Sequence, residues 1–154
     1  MESMKQQLAG LGAALLLLGS CNTNGSLTTS GLNPTAFDTT INGKKVELYT
    51  LTNGKGMEVC LTNYGGRVVS ISVPDKNGKA TDVVLGYDNI KQYADTLKSP
   101  SDYGSSVGRY ANRIKDAVLH LGDKSYQLKA NDNGNCLHGG GTTGWLNKVY
   151  DVQS

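Results

Sequence analysis

The fold class is decided by residues 42–78, which read NGKKVELYTLTNGKGMEVCLTNYGGRVVSISVPDKNG. Turn-forming pairs recur in this stretch at Asn42-Gly43, Asn53-Gly54, Gly65-Gly66 and Asn77-Gly78. Such pairs favour the tight turns of β-hairpins. Between them, residues 46–51 and 68–73 alternate in polarity or are β-branched, which is typical of half-buried strands. We therefore predict an all-β fold of short antiparallel strands.

The same pattern extends beyond this stretch. Residues 57–61 and 83–85 fit further strands, and residues 118–128 predict a hairpin with its turn at Gly122-Asp123. One weak helix is predicted over residues 88–97, with Asp88 as its N-cap. Residues 149–154 are interpreted as a strand without a terminal turn, so we expect a β-sandwich that is incomplete at its C-terminus.

Composition excludes several classes of protein. The 154 residues contain 15 basic and 13 acidic side chains, a net charge of +2 that is too balanced for nucleic-acid binding by charge. Twenty glycines and eight tyrosines against three prolines favour a turn-rich β protein over a coiled coil or a collagen-like chain. One globular domain is the expectation for this length.

The first 21 residues have the pattern of an export signal. Residues 8–19 are apolar but too few to span a bilayer, which needs about 20. The small pair Gly19-Ser20 before Cys21 resembles a bacterial lipobox, which implies lipidation of Cys21; the alternative is a plain signal peptide whose cysteine is coincidental. We expect an exported bacterial protein, periplasmic or at the cell surface, anchored to a membrane surface through Cys21.

The chain after Cys21 is expected to have two parts. Residues 22–36 are rich in Ser, Thr, Asn and Gly and predict a flexible linker, and residues 37–154 predict the folded domain. In an exported protein Cys60 and Cys136 could form a disulfide, but we predict free, buried thiols, because Cys60 lies in an alternating strand pattern.

A first candidate functional segment is GRYANRI at residues 108–114. Asn112, Arg109 and Arg113 offer many hydrogen-bond donors, the chemistry needed to hold vicinal hydroxyls or a carboxylate. The alternative is that both arginines form structural ion pairs with nearby aspartates.

A second candidate segment is NDNGNCLHGGG at residues 131–141. His138 precedes three glycines, which allow a close approach to its imidazole, and histidine can exchange a proton near neutral pH. The alternative is an ordinary loop histidine. No metal site is expected, because Cys136 and His138 supply only two ligands. His120 is predicted to be a surface residue, and Trp145 could stack on a sugar but is more typical of a core.

Together these segments resemble the aldose 1-epimerase family, also called galactose mutarotases. The resemblance covers roughly residues 37–154 and is carried by Asn63-Tyr64-Gly65-Gly66, Val73-Pro74-Asp75, residues 82–87, residues 108–114 and Leu137-His138-Gly139-Gly140. It implies a galactose mutarotase-like antiparallel β-sandwich that interconverts the α and β anomers of a hexose such as galactose or glucose, without a cofactor. It also implies that Asn112 and Arg113 bind sugar hydroxyls and that His138 orients and polarises the sugar.

The chain also departs from this family. The resemblance implies that the general acid, a second histidine, and the general base, a glutamate, belong to later segments, which we expect this chain to lack. We therefore expect an N-terminal portion that is inactive alone unless a complementing chain supplies them. The alternatives are a non-catalytic carbohydrate-binding surface module and a structural surface β-domain.

Overall fold

Short antiparallel strands dominate the computed structural model, which describes residues 25–95 and 102–153. In chain order the strands are β1 (Thr39–Ile41), β2 (Lys44–Val46), β3 (Leu48–Thr52), β4 (Glu58–Thr62), β5 (Arg67–Pro74), β6 (Ala80–Asp82), β7 (Arg113–Ile114), β8 (Val118–Leu121), β9 (Lys124–Gln127) and β10 (Cys136–Leu137). Helical structure in the described residues consists of α1 (Ile90–Ala94) and 3₁₀ turns at Pro34–Phe37, Lys115–Ala117, Gly141–Thr143 and Trp145–Asn147. The prediction of an antiparallel all-β fold is confirmed.

The largest sheet is a four-stranded meander in the order β3-β4-β5-β6. Separate two-stranded sheets are formed by β1 with β2, by β7 with β10, and by β8 with β9. The predicted turns at Asn42-Gly43 and Gly122-Asp123 join β1 to β2 and β8 to β9. Asn42 and Gly43 both have positive φ, 52° and 75°, as a tight hairpin turn requires.

The two faces of the meander differ in an unexpected way. The buried face carries mainly polar or small side chains from β4 and β5: Glu58, Cys60, Thr62, Ser70 and Ser72. The opposite face carries larger apolar side chains that are only partly buried: Tyr49, Leu51, Val59, Leu61, Ile71 and Val73. In the pairing of β4 with β5, Cys60 lies opposite Ser70 and Leu61 opposite Val68, so Val69 is an extra residue that forms a β-bulge.

Residues 28–37 cover the buried face of the meander. The carboxylate of Glu58 accepts hydrogen bonds from the backbone N–H and the hydroxyl of Thr29, at 2.7 and 2.9 Å. The Leu32 side chain is 7% exposed and Phe37 is fully buried in the core. Part of the predicted linker, residues 22–36, therefore contacts the folded domain: Thr29 and Ser30 hydrogen-bond to the sheet, and Leu32 lies in the core.

The core lies between this segment, the buried face and α1. Its members are buried and mostly apolar: Leu32, Phe37, Val46, Leu48, Cys60, Tyr64, Val69, Ile90 and Tyr93. Cys60 and Cys136 are both buried and free, as predicted. His120 is exposed on β8, where its ring hydrogen-bonds with the Ser125 hydroxyl at 2.8 Å, so its prediction as a surface residue is also confirmed.

Three predicted elements differ from the structure. Residues 83–85 are not a strand, because the Asp82 carboxylate accepts hydrogen bonds from the N–H groups of Ile71 and Val84, which ends the ladder. Helix α1 begins after Asn89, whose side chain caps it by accepting from the Gln92 N–H. Of residues 149–153, only Val149 forms a β-bridge, to Tyr64, so the predicted terminal strand is wrong.

The predicted export signal and Cys21 lie outside the described residues. No helix within residues 25–95 and 102–153 combines the length and the apolar character needed to cross a bilayer.

Candidate functional site

The structure brings the two candidate segments together. Strand β7 pairs with β10, placing Arg113 opposite Leu137 and Ile114 opposite Cys136. One residue beyond this short ladder, the His138 N–H donates to the Asn112 carbonyl at 3.0 Å. The polar side chains of both segments therefore belong to a single site.

A second hydrogen bond orients the imidazole. The Asn112 backbone N–H donates to Nδ1 of His138 at 2.9 Å. Since Nδ1 accepts, the neutral ring carries its proton on Nε2. The His138 side chain is 28% exposed. The ring therefore presents an N–H donor at Nε2.

The backbone is strained at Asn112 and at His138, where the two segments meet. Asn112 and His138 have φ of +63° and +52°, in the left-handed region that few residues other than glycine adopt. Asn and His are among the side chains that tolerate this region best. Strain held by surrounding structure is common at functional sites. Here it accompanies the reciprocal hydrogen bonds that bring Asn112 and His138 together.

Arg113 extends the donor surface next to His138. Its Nε donates to the Asp132 carboxylate at 2.5 Å, and its Nη1 lies 3.3 Å from Oδ1 of Asn112. The Arg113 side chain is 54% exposed and that of Asp132 20%. These contacts orient the guanidinium while leaving about half of the side chain accessible. The alternative of a structural ion pair is confirmed for Arg113, and it is compatible with a binding role.

Asn131 fixes the loop that carries His138. Its side-chain oxygen accepts from the Leu137 N–H at 2.8 Å, and its side-chain nitrogen donates to the Leu137 carbonyl at 3.1 Å. The Asn131 side-chain amide thereby pairs with the Leu137 backbone as the backbone of a neighbouring strand would. Asn131 was not among the predicted site residues, although it lies in the asparagine-rich turn before His138.

Two glycines allow the segments to approach closely. A Cβ on Gly139 would lie 2.1 Å from the Gly108 carbonyl oxygen, and a Cβ on Gly108 would lie 2.3 Å from the Trp145 ring. Neither distance is compatible with a side chain. The glycine after His138 therefore accommodates the protein's own backbone, whereas the sequence had suggested room for a ligand.

Trp145 lies beside the site instead of in the core. It is 38% exposed, its N–H donates to the Gly108 carbonyl at 3.2 Å, and the Arg109 guanidinium lies 5.4 Å from its ring centroid. The interpretation of Trp145 as a core residue is wrong, because the ring packs on a glycine and on an exposed arginine. Arg109 forms this cation–π contact, which the sequence around it did not predict.

Asp102 is a polar residue of the site that sequence analysis missed. Its Oδ2 lies 3.9 Å from Nε2 of His138, and its side chain is 48% exposed. No motif surrounds Asp102, so only the tertiary structure places it here.

A buried arginine, Arg67, forms hydrogen bonds to two loops of the site. Arg67 is 1% exposed and donates from Nη1 to the Tyr103 carbonyl and from Nη2 to the Leu146 carbonyl, each at 3.1 Å. Its guanidinium lies within 5.6 Å of the ring centroids of Tyr64 and Tyr93. Burial lowers the pKa of Arg67 from its usual value, while nearby Tyr64 and Asp102 oppose that shift. Arg67 thus joins the sheet to the loops carrying Asp102 and Trp145.

Within the described residues, no group of three or more His, Cys, Asp or Glu side chains is arranged to hold a metal ion. The chemistry that the described site offers is hydrogen bonding: an imidazole N–H, a guanidinium, a side-chain amide and an exposed carboxylate. These groups suit a ligand that is rich in hydroxyls.

Comparisons with known proteins identify the class of this fold. A GalM/aldose epimerase homologue from C. elegans has a TM-score of 0.64 and 33% sequence identity over 71% of this chain. Galactose 1-epimerase from Lactobacillus acidophilus has a TM-score of 0.60 and 27% identity over 73% of this chain. The fold is therefore galactose mutarotase-like.

Sequence comparisons identify the family. The aldose 1-epimerase family model matches residues 47–154. A probable aldose 1-epimerase from Arthroderma benhamiae is 35% identical over 127 residues, or 80% of this chain. Galactose mutarotase from Bos taurus is 37% identical over 95 residues, or 62% of this chain. The chain belongs to the aldose 1-epimerase family.

The matched region is a minor part of each relative. The alignments cover 28% of the Arthroderma benhamiae protein and 27% of the Bos taurus protein. They cover 32% and 31% of the two solved structures. This chain therefore spans less than a third of the length of these relatives.

Proposed function

We propose that this chain binds a hexose at the site formed by Asn112, Arg113 and His138. The observation that carries the proposal is the pair of reciprocal hydrogen bonds between Asn112 and His138, which joins both motifs into one surface. Arg113 and the Nε2–H of His138 offer donors to sugar oxygens. Membership of the aldose 1-epimerase family supports a hexose as the ligand.

Mutarotation requires two opposite proton transfers. A base removes the proton of the anomeric hydroxyl while an acid protonates the ring oxygen, the bond between the anomeric carbon and that oxygen breaks, and the ring closes on the other face. In the observed orientation His138 can donate from Nε2 to a sugar oxygen, but Nδ1 is already bonded to the Asn112 N–H. The guanidinium of Arg113 offers hydrogen-bond donors and no acceptor. We propose that these three residues bind and orient the sugar without supplying the base.

Binding is tested by titrating the purified full-length chain with D-galactose and D-glucose. Trp145 lies beside the site, so a saturable change in its fluorescence is expected, with calorimetry as an independent readout. Arg113→Ala should weaken binding by about tenfold or more, since hydrogen bonds to charged groups are worth roughly 1.5–3 kcal/mol. Lys124→Ala, an exposed change on β9, is the matched control and should leave affinity unchanged. No saturable response with either sugar contradicts the proposal.

Catalysis is tested separately by polarimetry on freshly dissolved α-D-galactose. We propose that the chain alone leaves the rate near the spontaneous value, as a carbohydrate-binding module also would. Acceleration that is lost in His138→Asn would show that the chain is an epimerase by itself. We also propose that a complementing chain supplies the missing catalytic groups. In that case a mixture of the two polypeptides accelerates mutarotation, whereas neither polypeptide does so alone.

We further propose that the protein is exported and anchored to a membrane through lipid on Cys21. The support is the apolar run of residues 8–19 followed by Ser20-Cys21. Expression in bacteria with an alkyne-tagged fatty acid should label the wild-type chain but not Cys21→Ser. Equal labelling of both chains, or of neither, would contradict lipidation at this cysteine.

A further inference from the structure

Asp102 is held in place by the loop that follows it. The Asp102 carbonyl accepts from the Ser105 N–H at 3.1 Å and from the Ser105 hydroxyl at 2.8 Å. Two residues further, the Gly104 carbonyl accepts from the Val68 N–H on β5 at 3.0 Å, and Arg67 donates to the Tyr103 carbonyl. The position of Asp102 is thus set by the central sheet.

The gap between Asp102 and His138 has the width for one shared oxygen atom. The 3.9 Å between Oδ2 and Nε2 is too long for a direct hydrogen bond. An oxygen atom placed between them can lie about 2.7–3.0 Å from both, the ordinary range for hydrogen bonds. Both side chains are partly exposed, at 48% and 28%, so a ligand can reach the gap.

The two groups have complementary hydrogen-bonding roles. The Nε2–H of His138 is a donor, because Nδ1 accepts from Asn112. An ionised carboxylate is only an acceptor. A hydroxyl accepts one hydrogen bond and donates another, so it matches this pair, whereas an ether oxygen or a missing hydroxyl satisfies at most one of the two groups.

We propose that Asp102 and His138 clamp a single hydroxyl of the bound hexose. His138 donates from Nε2 to the hydroxyl oxygen, and that hydroxyl donates to the Asp102 carboxylate. Asp102 is therefore a sugar-binding residue that determines which hydroxyl pattern the site accepts. This inference rests on the proposed hexose binding and adds a third segment of the chain to the site.

The test uses calorimetry on the full-length chain with a panel of hexoses that each lack one hydroxyl or carry one methyl ether. For the wild type, the analogues altered at one particular hydroxyl should bind about tenfold more weakly than the parent sugar. Asp102→Ala should weaken the parent sugar to about the level of those analogues, so that parent and analogues bind alike. A structural role for Asp102 would weaken all sugars equally and keep the discrimination.

Controls separate this inference from folding and from the proposed function. Asp123→Ala removes the same charge at the exposed β8–β9 turn and should change neither affinity nor discrimination. Asp102→Asn keeps the shape of the side chain but replaces the charged acceptor by a neutral one, so we expect a smaller loss of affinity than in Asp102→Ala. If thermal unfolding shows the alanine variant to be misfolded, Asp102→Asn is used in its place. Wild-type affinity and discrimination in a folded Asp102 variant, together with loss of binding in Arg113→Ala, overturn the clamp and leave hexose binding intact. Absence of binding by the wild type overturns both.

Discussion

At the scale of single residues, the site depends on groups that make more than one contact. Asn112 illustrates this, because its N–H and its carbonyl both bond to His138 while its side chain contacts Arg113. The motif residues could be selected from sequence, since asparagine, arginine and histidine supply hydrogen-bonding groups and the two segments carry the resemblance to the family. Their mutual contacts could not, because Asn112 and His138 are 26 residues apart.

Arg67 leads to the first prediction at this scale. Arg67→Lys should lower the free energy of unfolding by about 1–3 kcal/mol, because the carbonyls of Tyr103 and Leu146 lose donors that an ammonium group cannot reproduce in the same geometry. Urea denaturation followed by circular dichroism measures the change. Lys124→Arg, the reverse exchange at an exposed position, is the control and should stay within about 0.5 kcal/mol of the wild type.

The same variant also has a consequence for binding. Since Arg67 supports the loops of Asp102 and Trp145, Arg67→Lys should weaken hexose binding under conditions in which the variant is fully folded. Unchanged stability in Arg67→Lys would mean that these hydrogen bonds contribute little in solution.

At the scale of elements, the central meander differs from the usual alternating strand, in which the apolar side chains are buried and the polar ones are exposed. In β5 the serines at 70 and 72 are buried, while Ile71 and Val73 are partly exposed. Alternation alone identified the strand but not the face that would be covered. The covering segment, residues 28–37, brings Thr29 and Ser30 hydroxyls to that face, where they hydrogen-bond to Glu58 and Ser70.

This reversal predicts unequal responses to substitution. Phe37→Ala should lower the free energy of unfolding by about 3–5 kcal/mol, because it empties a fully buried position. Ile71→Thr should cost about 1 kcal/mol or less, since threonine keeps the strand preference and the side chain is already partly exposed. Denaturant titrations of both variants check the contrast. A cost for Ile71→Thr as large as that for Phe37→Ala would show that another surface covers the apolar face in solution.

At the scale of the whole molecule, stability should fall as the pH becomes alkaline. Burial raises the pKa of the Cys60 thiol and of the Tyr64 and Tyr93 phenols above their usual values. In the unfolded chain these groups begin to ionise above about pH 8.5 for the thiol and about pH 10 for the phenols. The unfolded state then binds fewer protons than the folded state, so the free energy of unfolding decreases with rising pH.

This dependence is measured by urea denaturation between about pH 7.5 and 10.5, the interval in which the free thiol and phenols titrate. The contribution of the three groups is fully present below the thiol's unfolded pKa and is lost as the pH rises. Cys60→Ala removes the first group to ionise, so its stability should decline less steeply near the start of the interval. Equal slopes for the wild type and Cys60→Ala would exclude a contribution from the thiol.

The amino-acid sequence by itself determined the local features of this protein: the hairpins at Asn42-Gly43 and Gly122-Asp123, the antiparallel all-β class, and the two polar motifs of the site. These depend on φ preferences and on alternation between neighbouring residues, which are local properties. Only the tertiary structure decided that Asp102 lies next to His138, that Trp145 stands beside the site, and that serines face the core. The physical reason is that such contacts join residues far apart in the chain, and each depends on which surfaces pack together after the strands have formed.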